Sequence, residues 1–408
     1  MQPQLSKKAV SFKRNISPVR QIMSFADPKT FQKYGFTQSD IISFAGGWVN
    51  HESPEELKQA YAEIIEDNAA FHKCGGYPPT LGTNECREAL AKLAEHLYGT
   101  KDIDASNIVV GASSTQLTFN LLTALMDPED KILLLDPSYC NLPSQITTAL
   151  GVEILRFPVL DKETWRYVAD EKTEEFADFI LENKPKVILL IAPDNPTSQI
   201  PSDKFVKAAL QAAQEVGAFL LIDFAYKEIV FDEELPEYFS WGPSENYIVL
   251  KSNSKWCRGL GRRLGWIEAP ESVVEVMESI QSSSILCPDM LHEMALTKYI
   301  NQGIELNSIR PYIEENARLY KKAAATTIKA IEEYLQMPCL RPQGGLYTVV
   351  NVRMDGAKFV EEKIKQHGVL LVPGWGFGRS LSEGIRICYG PLVHNLDLIE
   401  QGIKKISG

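Results

Sequence analysis

Between residues 107 and 268 the chain alternates short apolar runs with helical patterns, and this rhythm restricts the fold more than any other feature. The apolar runs fall at 107–110, 131–136, 152–158, 186–192, 218–223, 247–251 and 264–268, with helical spacing at 114–126, 141–150, 173–183 and 202–216. Such alternation predicts an α/β architecture: a mainly parallel, seven-stranded sheet with helices on both faces. The runs VILLI and FLLI are apolar at every position, as strands covered on both faces must be. Beyond about 270 the rhythm changes. A long helix is expected over 306–336, then a strand LYTVVNV opened by Gly344-Gly345, a helix near 356–367, strands at 369–373 and 385–389, and a closing helix. We therefore expect an N-terminal arm with part of a small domain over 1–50, a large domain over 51–300 and a smaller α+β domain over 301–408. A short helix is expected over 15–26, with Pro18 in its first turn.

In open α/β sheets, ligands bind at the carboxyl ends of the strands, and the residues there are informative. Gly111-Ala112-Ser113-Ser114-Thr115 follows one run and opens a helix, where free amides and hydroxyls suit a phosphate; a plain helix cap is the simpler alternative. Next come Tyr139, an aromatic placed to stack on a planar ring, and Asn195, an amide at the mouth of a turn. Asp223 closes an apolar run as a poorly solvated carboxylate in need of a cation, with Tyr226 three residues on. The stretch YIVLKSNSKWCRGLGRRLGW then places Lys255 beside Ser252 and Ser254, with Arg263 following. A lysine with a lowered pKa can form a Schiff base with an aldehyde cofactor, and an arginine can neutralise that cofactor's phosphate. A surface lysine in a glycine-rich turn is the plainer alternative. A dinucleotide site is disfavoured, because the third glycine comes one residue late and Trp266-Ile267-Glu268 reads as a strand where a helix is required. Arg386, inside the strand pattern IRICY, needs an anion unless it sits on an exposed edge.

Composition narrows the partners. The chain has 408 residues, 44% hydrophobic and 23% charged, as soluble globular enzymes do. Its net charge of −11 argues against nucleic acid, and no apolar run approaches the length of a membrane span. The seven cysteines are scattered without a C-x-x-C pair, which points to reduced thiols in the cytoplasm and no metal site. Lys7, Lys8, Lys13 and Arg14 precede any acidic residue; a mobile arm is preferred over a targeting segment.

The motifs YPPTLG with Arg87, GASST, DPSY, DNPT, DFAY, SNSKWCRGLGRRLG, GGLY, PGWGFG and IRICYG run in that order from Tyr77 to Gly390. Together they resemble the class I/II aminotransferases, pyridoxal-phosphate enzymes of fold type I, and ISFAGG adds a looser likeness to the 2-aminoadipate and kynurenine aminotransferase branch. The resemblance implies that Lys255 forms the Schiff base with pyridoxal 5'-phosphate and later acts as general base. It implies that Asp223 pairs with the ring nitrogen, that Tyr226 and Asn195 bond the phenolic oxygen, and that Tyr139 stacks on the ring. Ser113, Ser114, Ser252 and Arg263 would hold the phosphate with Tyr77 from a second subunit of a homodimer. Arg386 would grip the substrate α-carboxylate, assisted by Asn195 and the Gly46 backbone. Arg20, on the N-terminal helix, would read the substrate side chain. An amino acid and a 2-oxo acid are the implied substrates. Ser198, where the family usually has glycine, the run Trp256-Cys257-Arg258, and Trp48-Val49 after the glycine pair depart from the pattern. They leave open a lyase, cyclase or oxidase on the same framework.

Overall fold

The computed structural model describes residues 3–14, 16, 18–24 and 27–408. Its main sheet has seven strands: β1 (Ile108–Gly111), β2 (Lys131–Asp136), β3 (Glu153–Pro158), β4 (Val187–Ile191), β5 (Phe219–Asp223), β6 (Tyr247–Ser252) and β7 (Gly265–Glu268). Their spatial order is β1-β7-β6-β5-β4-β2-β3. All neighbours are parallel except β7, which runs antiparallel to both β1 and β6. Each expected strand is present within a residue or two. β4 is buried at every position, because helices cover both of its faces. Leu133, Ile188, Leu190 and Leu220 face the core that includes Phe176, Phe205 and Val206 of the helices Thr173–Asn183 and Asp203–Val216. Leu134, Leu189, Leu221 and Ile248 face a second core with Leu117 and Leu121 of the Ser114–Leu125 helix.

A smaller three-stranded sheet, β8 (Tyr347–Asn351), β10 (Gly384–Cys388) and β9 (Val372–Pro373), carries Arg386 on its middle strand. Its core includes Val349, Ile385 and Ile403, and it also takes in Ile22, Phe31, Ile42 and Phe44 from the start of the chain. The strand expected at 369–373 is divided. Val369–Leu370 pairs in parallel with Ile42–Ser43, whereas Val372–Pro373 pairs with β10; Pro373 has no amide with which to extend a ladder. The long C-terminal helix begins at Ile309 and runs to Ala330, closing in a wider turn over Ile331–Leu335. At the N-terminus the Pro18–Ser24 helix falls where one was expected, but residues 15, 17, 25 and 26 of that expectation lie outside the described residues. No helix among the described residues is long and apolar enough to cross a membrane.

One glycine fixes how closely the layers approach. A Cβ on Gly265 would stand 2.6 Å from Ser114 N and 2.9 Å from Lys251 O, so the start of the Ser114–Leu125 helix lies directly on β7. Gly265 is the late glycine of the run after Lys255, and close helix–strand contact is its physical reason. Gly265→Ala is expected to cost about 1–3 kcal/mol through overpacking, read as a fall in thermal midpoint.

Candidate active site

The carboxyl ends of β1, β4, β5 and β6 meet the smaller sheet around a cavity of about 310 Å³. Lys255, Asp223, Tyr226, Asn195, Tyr139, Ser114, Ser252, Arg263 and Arg386 all line it. Lys255 sits on the one-turn helix Asn253–Trp256 that β6 runs into, and its Nζ donates to Gly47 O at 2.6 Å. Loss of solvent, reinforced by Arg386 and Arg263 nearby, lowers its pKa to about 8. Asp223 ends β5, which is hydrogen-bonded to β6, and accepts from the Ala225 amide at 2.9 Å. Loss of solvent raises its pKa to about 6, against the opposing pull of that amide and of Lys255. At neutral pH the carboxylate therefore remains charged, and an appreciable fraction of the amine is neutral.

Arg386 is 1% exposed, not an edge-strand arginine. Its Nη1 donates to Asn195 Oδ1 at 2.9 Å and its Nη2 to Ala45 O at 2.7 Å. The guanidinium carbon lies 4.4 Å from the Tyr347 ring centre and 5.0 Å from that of Phe377. Its Nε is buried with no hydrogen-bond partner, and among the described residues no carboxylate forms an ion pair with the guanidinium. A buried cation with spare donor capacity in a cavity is suited to a carboxylate ligand. The Tyr226 and Tyr347 hydroxyls are 2.5 Å apart. Tyr139 receives a hydrogen bond from Asn141 Nδ2 at 2.7 Å, which fixes its ring in the cavity wall.

Four expected residues are not among the lining. Ser113 is buried and spends its hydroxyl on the helix cap, accepting from Gln116 N at 3.3 Å. Gly46 lies between Ala45 and Gly47, whose carbonyls accept from Arg386 and Lys255, and of the pair it is Gly47 that lines the cavity. Arg20 is exposed, while Val19 beside it on the same helix reaches the cavity. Tyr77 is 84% exposed. Conversely Ser254, Thr115, Asn141 and Tyr347 line the cavity, though none was assigned a site role from the sequence. Tyr347 had a signal in GGLY, and Ser254 in its proximity to Lys255.

Three of the departures from the resembling pattern, Ser198, Trp256 and Arg258, make local contacts of their own. Ser198 adopts φ 55°, a conformation that favours glycine, and its Oγ accepts from Tyr347 N at 3.1 Å, an offsetting contact no glycine provides. Trp256 is buried against Tyr299, with ring centres 5.9 Å apart. Arg258 donates to His51 O and Asn50 Oδ1. None of the three enters the lining.

The pattern of "Aminotransferase class I and II" matches residues 39–406. The chain is 23% identical over 375 residues to an aspartate aminotransferase of Pyrococcus horikoshii, covering 90% of this chain and 91% of that protein. It is 26% identical over 372 residues to aromatic-amino-acid aminotransferase 2 of Thermococcus litoralis, with the same coverage of 90% and 91%. Its fold superposes on the aspartate aminotransferase of Thermus thermophilus solved with maleate, with a TM-score of 0.84 at 21% identity, covering 99% of this chain and 100% of that one. The chain belongs to the class I and II aminotransferase family. It is thus a fold type I enzyme that uses pyridoxal phosphate to transfer an amino group between an α-amino acid and a 2-oxo acid. The residues present fit that cofactor: an amine of lowered pKa, a charged carboxylate, an aromatic wall, and hydroxyls with an arginine at a helix start.

The lowered amine pKa has a measurable consequence. An amine captures an aldehyde in its neutral form, so if Lys255 is the amine that takes up pyridoxal phosphate, the rate of capture by cofactor-free protein should rise with pH through a midpoint near 8. A midpoint near the ordinary 10.5 would mean that burial does not tune this amine.

Proposed function

We propose that Lys255 is the residue that joins the cofactor and then moves the substrate proton. The observation that carries this reading is the pairing of Lys255 and Asp223 in one cavity, on neighbouring strand ends, with burial shifting both. When bound, pyridoxal phosphate supplies an electron-withdrawing ring that accepts the electron pair left at the substrate Cα. The Lys255 amine takes the Cα proton as general base and returns a proton on the cofactor side. Asp223 holds the proton on the pyridine nitrogen. Tyr226 and the Asn195 amide hold the ring's phenolic oxygen, and Tyr139 covers the ring face. Ser114, Ser252, Arg263 and the Ser113 segment bind the phosphate, and Arg386 holds the substrate α-carboxylate. The amino group passes to a 2-oxo acid, for which 2-oxoglutarate is the first to test.

Lys255→Ala removes both the joining amine and the base. Turnover should fall at least by the 10²–10⁴-fold that general base catalysis contributes, while the phosphate and ring contacts still retain cofactor. Near-wild-type turnover would refute the assignment. Asp223→Asn should keep cofactor content and lose kcat; a change confined to KM would remove Asp223 from this role.

The active enzyme is a homodimer with composite sites. Tyr77 supports this, since a tyrosine 84% exposed on one chain is available to a neighbouring chain's phosphate, and two-fold symmetry makes both sites equivalent. Hybrids of Tyr77→Ala with Lys255→Ala then carry one site with both lesions and one with neither, so activity should return relative to either parent. Hybrids that form without recovery would refute sharing. The seven unpaired cysteines support a reducing, cytoplasmic setting. Arg20 reads the substrate side chain from the helix whose Val19 lines the cavity. Arg20→Ala should change relative kcat/KM among acidic, polar and aromatic amino acids; an unchanged ranking removes Arg20 from that role.

A further inference from the structure

The Glu271–Ser284 helix buries Val273, Val274 and Met277 against the sheet, and continues that stripe with a glutamine. Gln281 is 0% exposed, where helical spacing calls for an apolar side chain. A buried amide is costly unless its donors and acceptor are used, and here they are. Its Nε2 donates to Thr80 O at 2.5 Å and to Val110 O at 2.7 Å. Its Oε1 accepts from Gln116 Nε2 at 3.5 Å, and Gln116 Oε1 accepts from Ala112 N at 2.9 Å.

These partners belong to two different places. Val110, Ala112 and Gln116 frame the turn proposed for the phosphate of this subunit's own site. Thr80 belongs to the Tyr77–Gly82 loop. That loop is held further along by Val110 N, which donates to Leu81 O at 2.9 Å, and by Glu293, whose Oε2 accepts from Thr83 N at 2.6 Å and from Thr83 Oγ at 3.0 Å. The inner side of the loop is thus tied down while Tyr77 stays exposed.

We propose that Gln281 is a positioning residue for the neighbouring subunit's site: it anchors the Tyr77 loop to the rigid end of β1, so that Tyr77 presents at a fixed distance from the partner's phosphate. This rests on the shared-site reading above. The glutamine touches neither cofactor nor substrate; it acts through Thr80 on a side chain three residues away.

The test uses holoenzyme and reads cofactor release. Gln281→Met keeps an unbranched chain and removes the amide. Release of pyridoxal phosphate should accelerate about tenfold, as the loss of buried hydrogen bonds implies, and hydrogen exchange at the Gly82 and Thr83 amides should quicken. Hybrids of Gln281→Met with Lys255→Ala locate the effect. Their one Lys255-bearing site lies in the Gln281→Met subunit but receives Tyr77 from the subunit with Gln281 intact. Release from that site, followed by the absorbance of cofactor joined to Lys255, should return to near the wild-type rate. Release as fast as in the Gln281→Met homodimer would mean that Gln281 serves only its own subunit, and would overturn the proposal. The Tyr77→Ala and Lys255→Ala hybrids run alongside: no recovery there refutes site sharing itself, whereas recovery there but not with Gln281→Met refutes this inference alone. If Gln281→Met does not fold, Gln281→Asn, which keeps an amide of shorter reach, goes through the same steps with the same outcomes. Unchanged release in the folded homodimer would likewise overturn it.

Discussion

Desolvation of an amine and a carboxylate at the ends of two adjacent strands is the constraint on which the rest depends. Lys255 and Asp223 are each moved by burial toward the neutral form, the amine down and the acid up. A fold tolerates this only where other interactions hold the groups in place. The sheet does so: β5 and β6 are hydrogen-bonded neighbours deep in its centre, and Leu220, Ile222, Ile248 and Leu250 are buried around them. The near-continuous apolar character of these strands, which first identified them, is therefore also the source of the site's electrostatics.

The order and type of the strands were legible because burial on both faces leaves an unmistakable pattern. Most of the site was legible too, because Asp223, Lys255 and Asn195 sit where apolar runs stop. What the pattern could not carry were contacts between distant segments. Nothing around Gly46 and Gly47 in the sequence says which carbonyl meets Lys255, since that depends on how residues 45–47 pass between the two sheets. Ser113 and Ser114 read alike as hydroxyls at a helix start, yet one caps the helix and the other lines the cavity. The departure at Ser198 reads as a lost glycine until Tyr347 N is seen to donate to its hydroxyl. The division of 369–373 between two sheets was hidden for the same reason, the partners being 42–43 in one case and β10 in the other.

The opposite face of the same strands shows what charges do here when no ligand is intended. Lys251 precedes Ser252 on β6 and so faces away from it. In register Lys251 lies opposite Trp266, which puts Glu268 diagonally across on the same face, and the two charges are 3.7 Å apart. Trp266 Nε1 donates to Glu268, and Tyr98 donates to Glu228 at 3.0 Å while its ring lies under Lys227 at 3.7 Å and Lys251 at 4.8 Å. Lys227 also donates to Phe239 O. The cluster holds carboxylates as well as cations, Glu268 paired with Lys251 and Glu228 close to Lys227, so its burial is offset within the chain. Arg386, by contrast, keeps a buried Nε without a partner, and Lys255 has only a backbone carbonyl as its hydrogen-bond acceptor among the described residues. The charges on this face of the main sheet are therefore matched within the chain, whereas Lys255 at a strand end and Arg386 on the smaller sheet keep donors to spare. The matched cluster joins neighbouring strands, and the incompletely matched cavity between the two sheets is the one that a carboxylate and a phosphate can complete.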